Sequence, residues 1–329
     1  GPLETAVNAA STAAAAANTK ADNAYNQANS AYSKASEAHE AANNINKKLT
    51  GITLTLGSGA IANSTGVAIG LRANANSPAS VAIGSGAISG STSIAVGEGA
   101  KTSQEGSVAL GQRANAAGVW STALGGEANA NGSSSVALGN KTNAGGSSSM
   151  AVGYIAKAGG DHSIALGQYA NANTEKSIAL GARAAASGNN SITIGAVSSA
   201  TMADAVAMGY DANAAGAKSI ALGAMSNAGG EAGIAIGYTA KTSDLCTVAV
   251  GYRASASKDA CIAIGSRTNS SAQSGIAIGI SANVSGNYST ALGVAAMTAN
   301  SNSIQLGSAS SLSSITAKVS ITVTSDERD

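Results

Sequence analysis

The sequence predicts two elements in series: an N-terminal trimeric α-helical coiled coil over residues 1–50, then an all-β parallel solenoid over 51–307. Residues 308–329 follow as a neck-like connector. Three observations carry this. A heptad of alanines runs through the first part, and a Val/Ile-Ala-Val/Ile/Leu-Gly quartet returns every 14 residues through the second. The 329-residue chain also has 41 glycines and no phenylalanine. A short strict period means one structural unit stacked on copies of itself.

In the first element, Leu3, Val7, Ala10, Ala14, Ala17, Ala21, Ala24 and their successors to Leu49 are spaced alternately by four and three. That spacing is the seam of a left-handed coiled coil. Lys, Asn, Gln, Ser and Glu fill the outer positions. Alanine lets helices approach closely but buries little area, so the stalk is expected to depend on the solenoid for its oligomeric state.

In the second element, Ser135-Val136-Ala137-Leu138-Gly139 shows one repeat. Its period of two marks a strand, and the glycine marks a corner. Arg113-Ala114-Asn115-Ala116 gives a second, shorter strand, and a half-way glycine recurs at Gly118, Gly132, Gly146, Gly160 and Gly188. Each turn therefore has two strands and two corners, with Gly, Asn or Ser expected to supply the unusual backbone angles. Stacked at about 4.8 Å per turn, the repeats make a rod of about 86 Å.

The Val/Ile/Leu row is expected to point inward against the alanines of the second strand, with Ile178 and Leu180 inside and Lys176 and Arg183 outside. The Ser/Ala row is then a smooth outer face on which identical chains close around an axis, giving a homotrimer. Two intervals, Gly57 to Gly70 and Gly84 to Gly97, are 13 residues. The missing residue falls between the second strand and the next apolar strand, where a corner absorbs it without reversing the strand's faces. Cys246 and Cys261 stand one register step apart in neighbouring turns, so they are expected on different faces rather than in a disulfide.

Composition argues against most chemistry. Net charge is +1 with 11% charged residues and no basic run, which speaks against nucleic-acid binding. His39 and His162 have no Cys or His at ligand spacing, so no metal or cofactor is expected. Asp161-His162-Ser163 holds the residue types of a catalytic triad, but adjacency in sequence does not build one. Carboxylates are scattered rather than paired, and the Gly-x-Gly stretches are corners with no helix after them. The chain reads as a non-enzyme. The variable corner positions are the remaining candidates: Tyr154, Tyr169, Tyr210, Tyr238 and Tyr252 just after the quartet glycine, and Trp120 five residues before it. Tyr210, Tyr238 and Tyr252 form an aromatic row suited to sugar rings or a protein loop.

The repeated Ser-Val-Ala-Leu-Gly and Ser-Ile-Ala-Leu-Gly (135–139, 163–167, 177–181, 219–223) resemble the YadA-like head repeat of trimeric autotransporter adhesins. That resemblance implies a trimeric, left-handed β-roll used for adhesion. Asn302-Ser303-Ile304-Gln305-Leu306-Gly307 is similar to the passage from head to neck. The Ala/Asn/Ser heptads around Ala17-Asn18-Thr19-Lys20 are similar to phage tail-fibre shafts. Thr324-Ser325-Asp326-Glu327-Arg328-Asp329 resembles the junction before an endosialidase-type intramolecular chaperone, which implies cleavage between Ser325 and Asp326. The preferred expectation is a non-enzymatic phage tail-fibre or tail-spike segment in the virion tail. It attaches to a host glycan or outer-membrane protein and joins other tail proteins through its stalk. The alternative is the head of a bacterial adhesin on the outer-membrane surface.

Overall fold

The computed structural model describes residues 1–49, 54–63 and 65–308. The Ser325-Asp326 junction and nearly all of the connector lie outside these residues. The chain divides at Leu54 into a helical unit and a β unit. The first is one 48-residue helix, Pro2–Leu49. Alanine, the best helix former, dominates it, and Glu4 pairs with the chain's own amino terminus at 3.1 Å. Every residue from 1 to 41 is exposed, including Leu3, Val7 and the alanine seam. The helical unit holds no second element to pack on the described part of that seam, and packing on a neighbour is where most helices draw their stability.

The β unit is a parallel solenoid. Among the described residues, three-residue strands form a 19-stranded sheet and two-residue strands a 15-stranded one. Pairing is in register by one turn: Thr122, Ala123 and Leu124 face Val136, Ala137 and Leu138, while Asn129 and Ala130 face Asn143 and Ala144. The short turns keep this register. Ile61 pairs with Asn74 and Val67 with Val81 across the first, and Ile88 bridges Asn74 and Lys101 across the second. Both lost residues therefore fall in a corner. At the second short turn Ser89, with Thr102 of the following turn, occupies the core and supplies hydroxyls to the tightened backbone: Gly90 N–H donates to Thr102 Oγ1 at 2.9 Å, and Ser89 Oγ donates to Ser93 O at 2.7 Å.

The faces of the long strand are the reverse of the sequence expectation. The quartet alanines, such as Ala123, Ala137 and Ala179, are fully buried, and so are the serines before them. Val, Ile and Leu, including Ile178 and Leu180, point outward and are half-buried or exposed. The physical reason is the width of the lumen. Ala114, Ala116 and their equivalents from the short strand face the quartet Ser and Ala across it, and the largest fully buried side chain of the unit is Val284. A row of isoleucines does not fit.

A buried serine needs a partner, and most turns provide one, although Ser135 Oγ and Ser191 Oγ find none within the chain. Ser121, Ser149 and Ser219 donate to the half-way carbonyls of Gly118, Gly146 and Gly216 at 2.7, 2.6 and 2.6 Å. The serine is thus a clamp on the corner. A larger facing residue is met in two ways: Ser93 and Ser289 stay opposite Thr102 and Thr298 and donate to Gln104 O and Asn300 O at 2.8 and 2.7 Å, whereas Gly233 stands opposite Thr242, where a Cβ would lie 2.7 Å from Thr242 Oγ1.

Glycines and left-handed residues are also distributed differently from expectation. The half-way glycines do not supply the unusual angle. They permit close approach, because a Cβ on Gly132 would collide with the carbonyl of Gly146 one turn on. The quartet glycines meet both demands: Gly167 has φ +135, and its Cβ would lie 2.5 Å from Gly181 O. The ordinary left-handed positions lie beside them and carry any side chain, as at Trp120 (φ 57), Ser134 (φ 55) and Val197 (φ 63). They are the third residues of turns such as Gly132 to Ser135, closed at 3.2 Å.

Two outcomes follow. Ala158→Leu should cost about 1–3 kcal/mol through overpacking, whereas Lys157→Leu, one residue away on the outer face, should stay within about 0.5 kcal/mol. Denaturant unfolding checks this, and equal losses would contradict the inward assignment. Gly233→Ser should cost about 1–3 kcal/mol alone and recover most of it when Thr242→Ala is added, as read by melting temperature.

Candidate interaction surfaces

The solenoid presents two broad faces and two edges. The long sheet shows two columns of aliphatic side chains, with Leu124, Ile220 and Leu222 each about 40% exposed. These columns continue turn after turn, an apolar strip of the kind that marks an interaction site. The short sheet is polar. Asparagines stack along it, with Asn115 Nδ2 donating to Asn129 Oδ1 at 2.9 Å and Asn269 Nδ2 to Asn283 Oδ1 at 2.8 Å. At the second short turn that face holds an open hollow of about 430 Å³ with Asn74, Ile88 and Lys101 on its walls.

The edge after the long strand carries the tyrosines. Tyr238 and Tyr252 stack with ring centroids 5.7 Å apart and planes 9° apart. The Arg253 and Arg267 guanidinium carbons lie 5.4 and 6.0 Å from the Tyr252 centroid. Tyr210 occupies the same column two turns earlier. A second pair, Tyr154 with Tyr169, meets edge to face at 5.5 Å. The sequence row missed it because Tyr169 stands one position later in its turn than Tyr154. Trp120 is on the opposite edge, exposed and seated over Gly106 of the preceding turn. The structure therefore separates Trp120 from the tyrosines.

The triad-like Asp161-His162-Ser163 is not assembled. Ser163 Oγ is buried and donates to Gly160 O at 2.6 Å, while Asp161 Oδ1 accepts from Ser147 N–H at 2.8 Å. Among the described residues no three His, Cys, Asp or Glu side chains gather as metal ligands, and no helix is long and apolar enough to cross a membrane. Cys261 takes the place of a quartet serine and is buried, whereas Cys246 is exposed on the edge; both are free. On the same edge the Glu175 carboxylate, 2.8 Å from Lys176 Nζ, holds that ammonium above its ordinary value by its hydrogen bond and charge.

A narrow parallel solenoid with a small-residue core, an apolar outer face and a glycine at each long-strand end defines a β-roll built from head-type repeats. The family model of the YadA head domain repeat (2 copies) matches residues 64–87, 89–114, 116–142, 144–170, 175–198, 200–226, 247–268 and 270–296, and the chain belongs to that family. Among solved structures, the collagen-binding domain of the Yersinia adhesin YadA is similar at 23% identity, over 69% of this chain and 78% of that one, with a TM-score of 0.18. Comparison with curated proteins gives no match.

Proposed function

We propose that the chain is the head and stalk of a homotrimeric surface fibre that attaches non-covalently to a host surface, without enzymatic activity. The observation that carries this is the pair of uncovered aliphatic columns along the solenoid, as at Ile178 and Leu180. Three copies of such a face, closed around one axis as left-handed rolls, hide the strip from water. Each partly exposed aliphatic side chain contributes on the order of 1 kcal/mol when covered. The exposed alanine seam of the helix has the same need and finds it in a three-stranded coiled coil. Membership of the YadA head repeat family supports an adhesive role outside the cell.

The fibre we favour is a phage tail fibre or spike, supported by the Ala/Asn heptads and the Thr324-Ser325-Asp326-Glu327 motif. In that setting Ser325-Asp326 is a chaperone cleavage junction and the stalk joins other tail proteins. The head of a bacterial trimeric autotransporter adhesin is the alternative, favoured by the family match. Sequencing the gene downstream separates them: a chaperone domain supports the first and a membrane β-barrel the second. Contact falls to the corner aromatics, Tyr210, Tyr238 and Tyr252 foremost, with Tyr154 and Trp120 as further candidates. The partner is a glycan or an outer-membrane protein loop. Three copies on one rigid body gain from effective concentration.

Light scattering should give a mass near three chains for the native protein. Ile178→Asp with Leu180→Asp should shift it to one chain while far-ultraviolet circular dichroism keeps its β signal. Loss of the β signal instead would return those residues to the core. Tyr210→Ser, Tyr238→Ser and Tyr252→Ser together should leave the mass and melting temperature unchanged and lower adsorption of labelled protein to host cells about tenfold or more. Undiminished adsorption would retire the row as a contact site.

A further inference from the structure

The two edges that flank the apolar face carry opposite charge. All five arginines of the solenoid, Arg72, Arg113, Arg183, Arg253 and Arg267, sit two residues after a quartet glycine, on the edge that follows the long strand. The edge that precedes it holds Asp161, Glu175, Asp204, Glu231, Asp244 and Asp259, and no arginine. The separation is incomplete, with Glu98, Glu127 and Asp211 on the arginine edge and Lys176, Lys218 and Lys258 on the acidic one. It is cleanest after Gly223, where Arg253 and Arg267 share their edge with no carboxylate. Among the described residues the ion pairs within the chain are Gly1–Glu4 and Glu175–Lys176. No arginine of the solenoid meets a carboxylate among the described residues.

Cyclic closure brings these edges together. When identical chains turn the same face to one axis, the contact is heterologous, so the edge following the strand in one copy meets the edge preceding it in the next. The strand between them is only three residues, about 10 Å, so both edges lie beside the buried face. We propose that the arginine edge of each copy docks on the carboxylate edge of the next at the same level, with Arg253 and Arg267 opposite Asp244 and Asp259. This rests on the trimer reading above and not on host contact by the tyrosine row, because a seam at Arg253 and Arg267 covers Tyr238 and Tyr252 on the same edge; it adds to the trimer what the apolar columns lack. Those columns look alike at every turn, so a copy slipped by one turn buries them nearly as well. The charges do not recur at every turn, and a slip misplaces them. Complementary charge selects register and partner in this way.

Three full-length variants test it. Arg253→Asp with Arg267→Asp should raise the trimer dissociation constant about tenfold or more at low salt. The left-handed backbone there tolerates aspartate, so the fold is kept. Asp244→Lys with Asp259→Lys should do the same, and all four changes together should restore the native constant to within about threefold. Independently, Arg253→Cys should cross-link under mild oxidation to the native Cys246 of a neighbouring copy, giving two- and three-chain bands on a denaturing gel. Positions 246 and 253 lie on opposite edges of one chain, so the link is between copies. A native protein that is monomeric removes the trimer itself. A trimer indifferent to the reversals, or one with no cross-link, stands as a trimer and overturns the edge pairing.

Discussion

Everything in the solenoid follows from the spacing between successive turns. Each backbone hydrogen-bonds to an equivalent backbone about 4.8 Å away, as when Val136 N–H donates to Ser149 O at 2.9 Å. Every side chain therefore has its own counterpart directly above and below. At the inner positions the narrow lumen leaves room for little more than Ala, Ser and Thr. At the corners it removes Cβ altogether from Gly132 and Gly167, whose neighbours' carbonyls occupy that space. The core is consequently held by many small contacts and by a hydroxyl clamp in most turns. Few side chains are large enough to specify it alone.

The outer surfaces inherit the same repetition. The aliphatic columns, the asparagine ladder and the two edges are each a line of equivalent positions, so any property of one turn is multiplied along the chain. Repetition suits a surface that must hold copies together and present many weak contacts at once. It suits catalysis poorly, because a site needs unlike groups converging on one point, and the straight columns of a solenoid rarely converge. The engaged hydroxyl of Ser163 and the diverted carboxylate of Asp161 show this locally.

Much of the architecture was legible in the sequence. The 14-residue beat located the strands and corners, the 13-residue intervals were correctly placed in corners, and Cys246 and Cys261 fell on different faces. The inside and outside of the long strand were not legible from the beat alone. Alternation assigns two faces but does not say which is buried, and the usual rule that Ile and Leu go inside chose wrongly. Lumen width decides it, and that width depends on the facing strand. A local signal was present at Gly233, which faces Thr242 across the lumen without a side chain of its own. The stacked Tyr238 and Tyr252 were legible because one column defines them. The edge-to-face pair of Tyr154 and Tyr169 was not, because it crosses columns.

The in-register stacking also makes length a separable property. Take out the residues between any two equivalent positions fourteen apart, and the surfaces left behind match as the original ones did. One unit changes the reach of the solenoid by about 4.8 Å. Copies can be gained or lost without inventing a new contact. How far any one surface stands from the start of the solenoid is thus set by counting, and selection can adjust it in single steps while each turn's chemistry stays as it was.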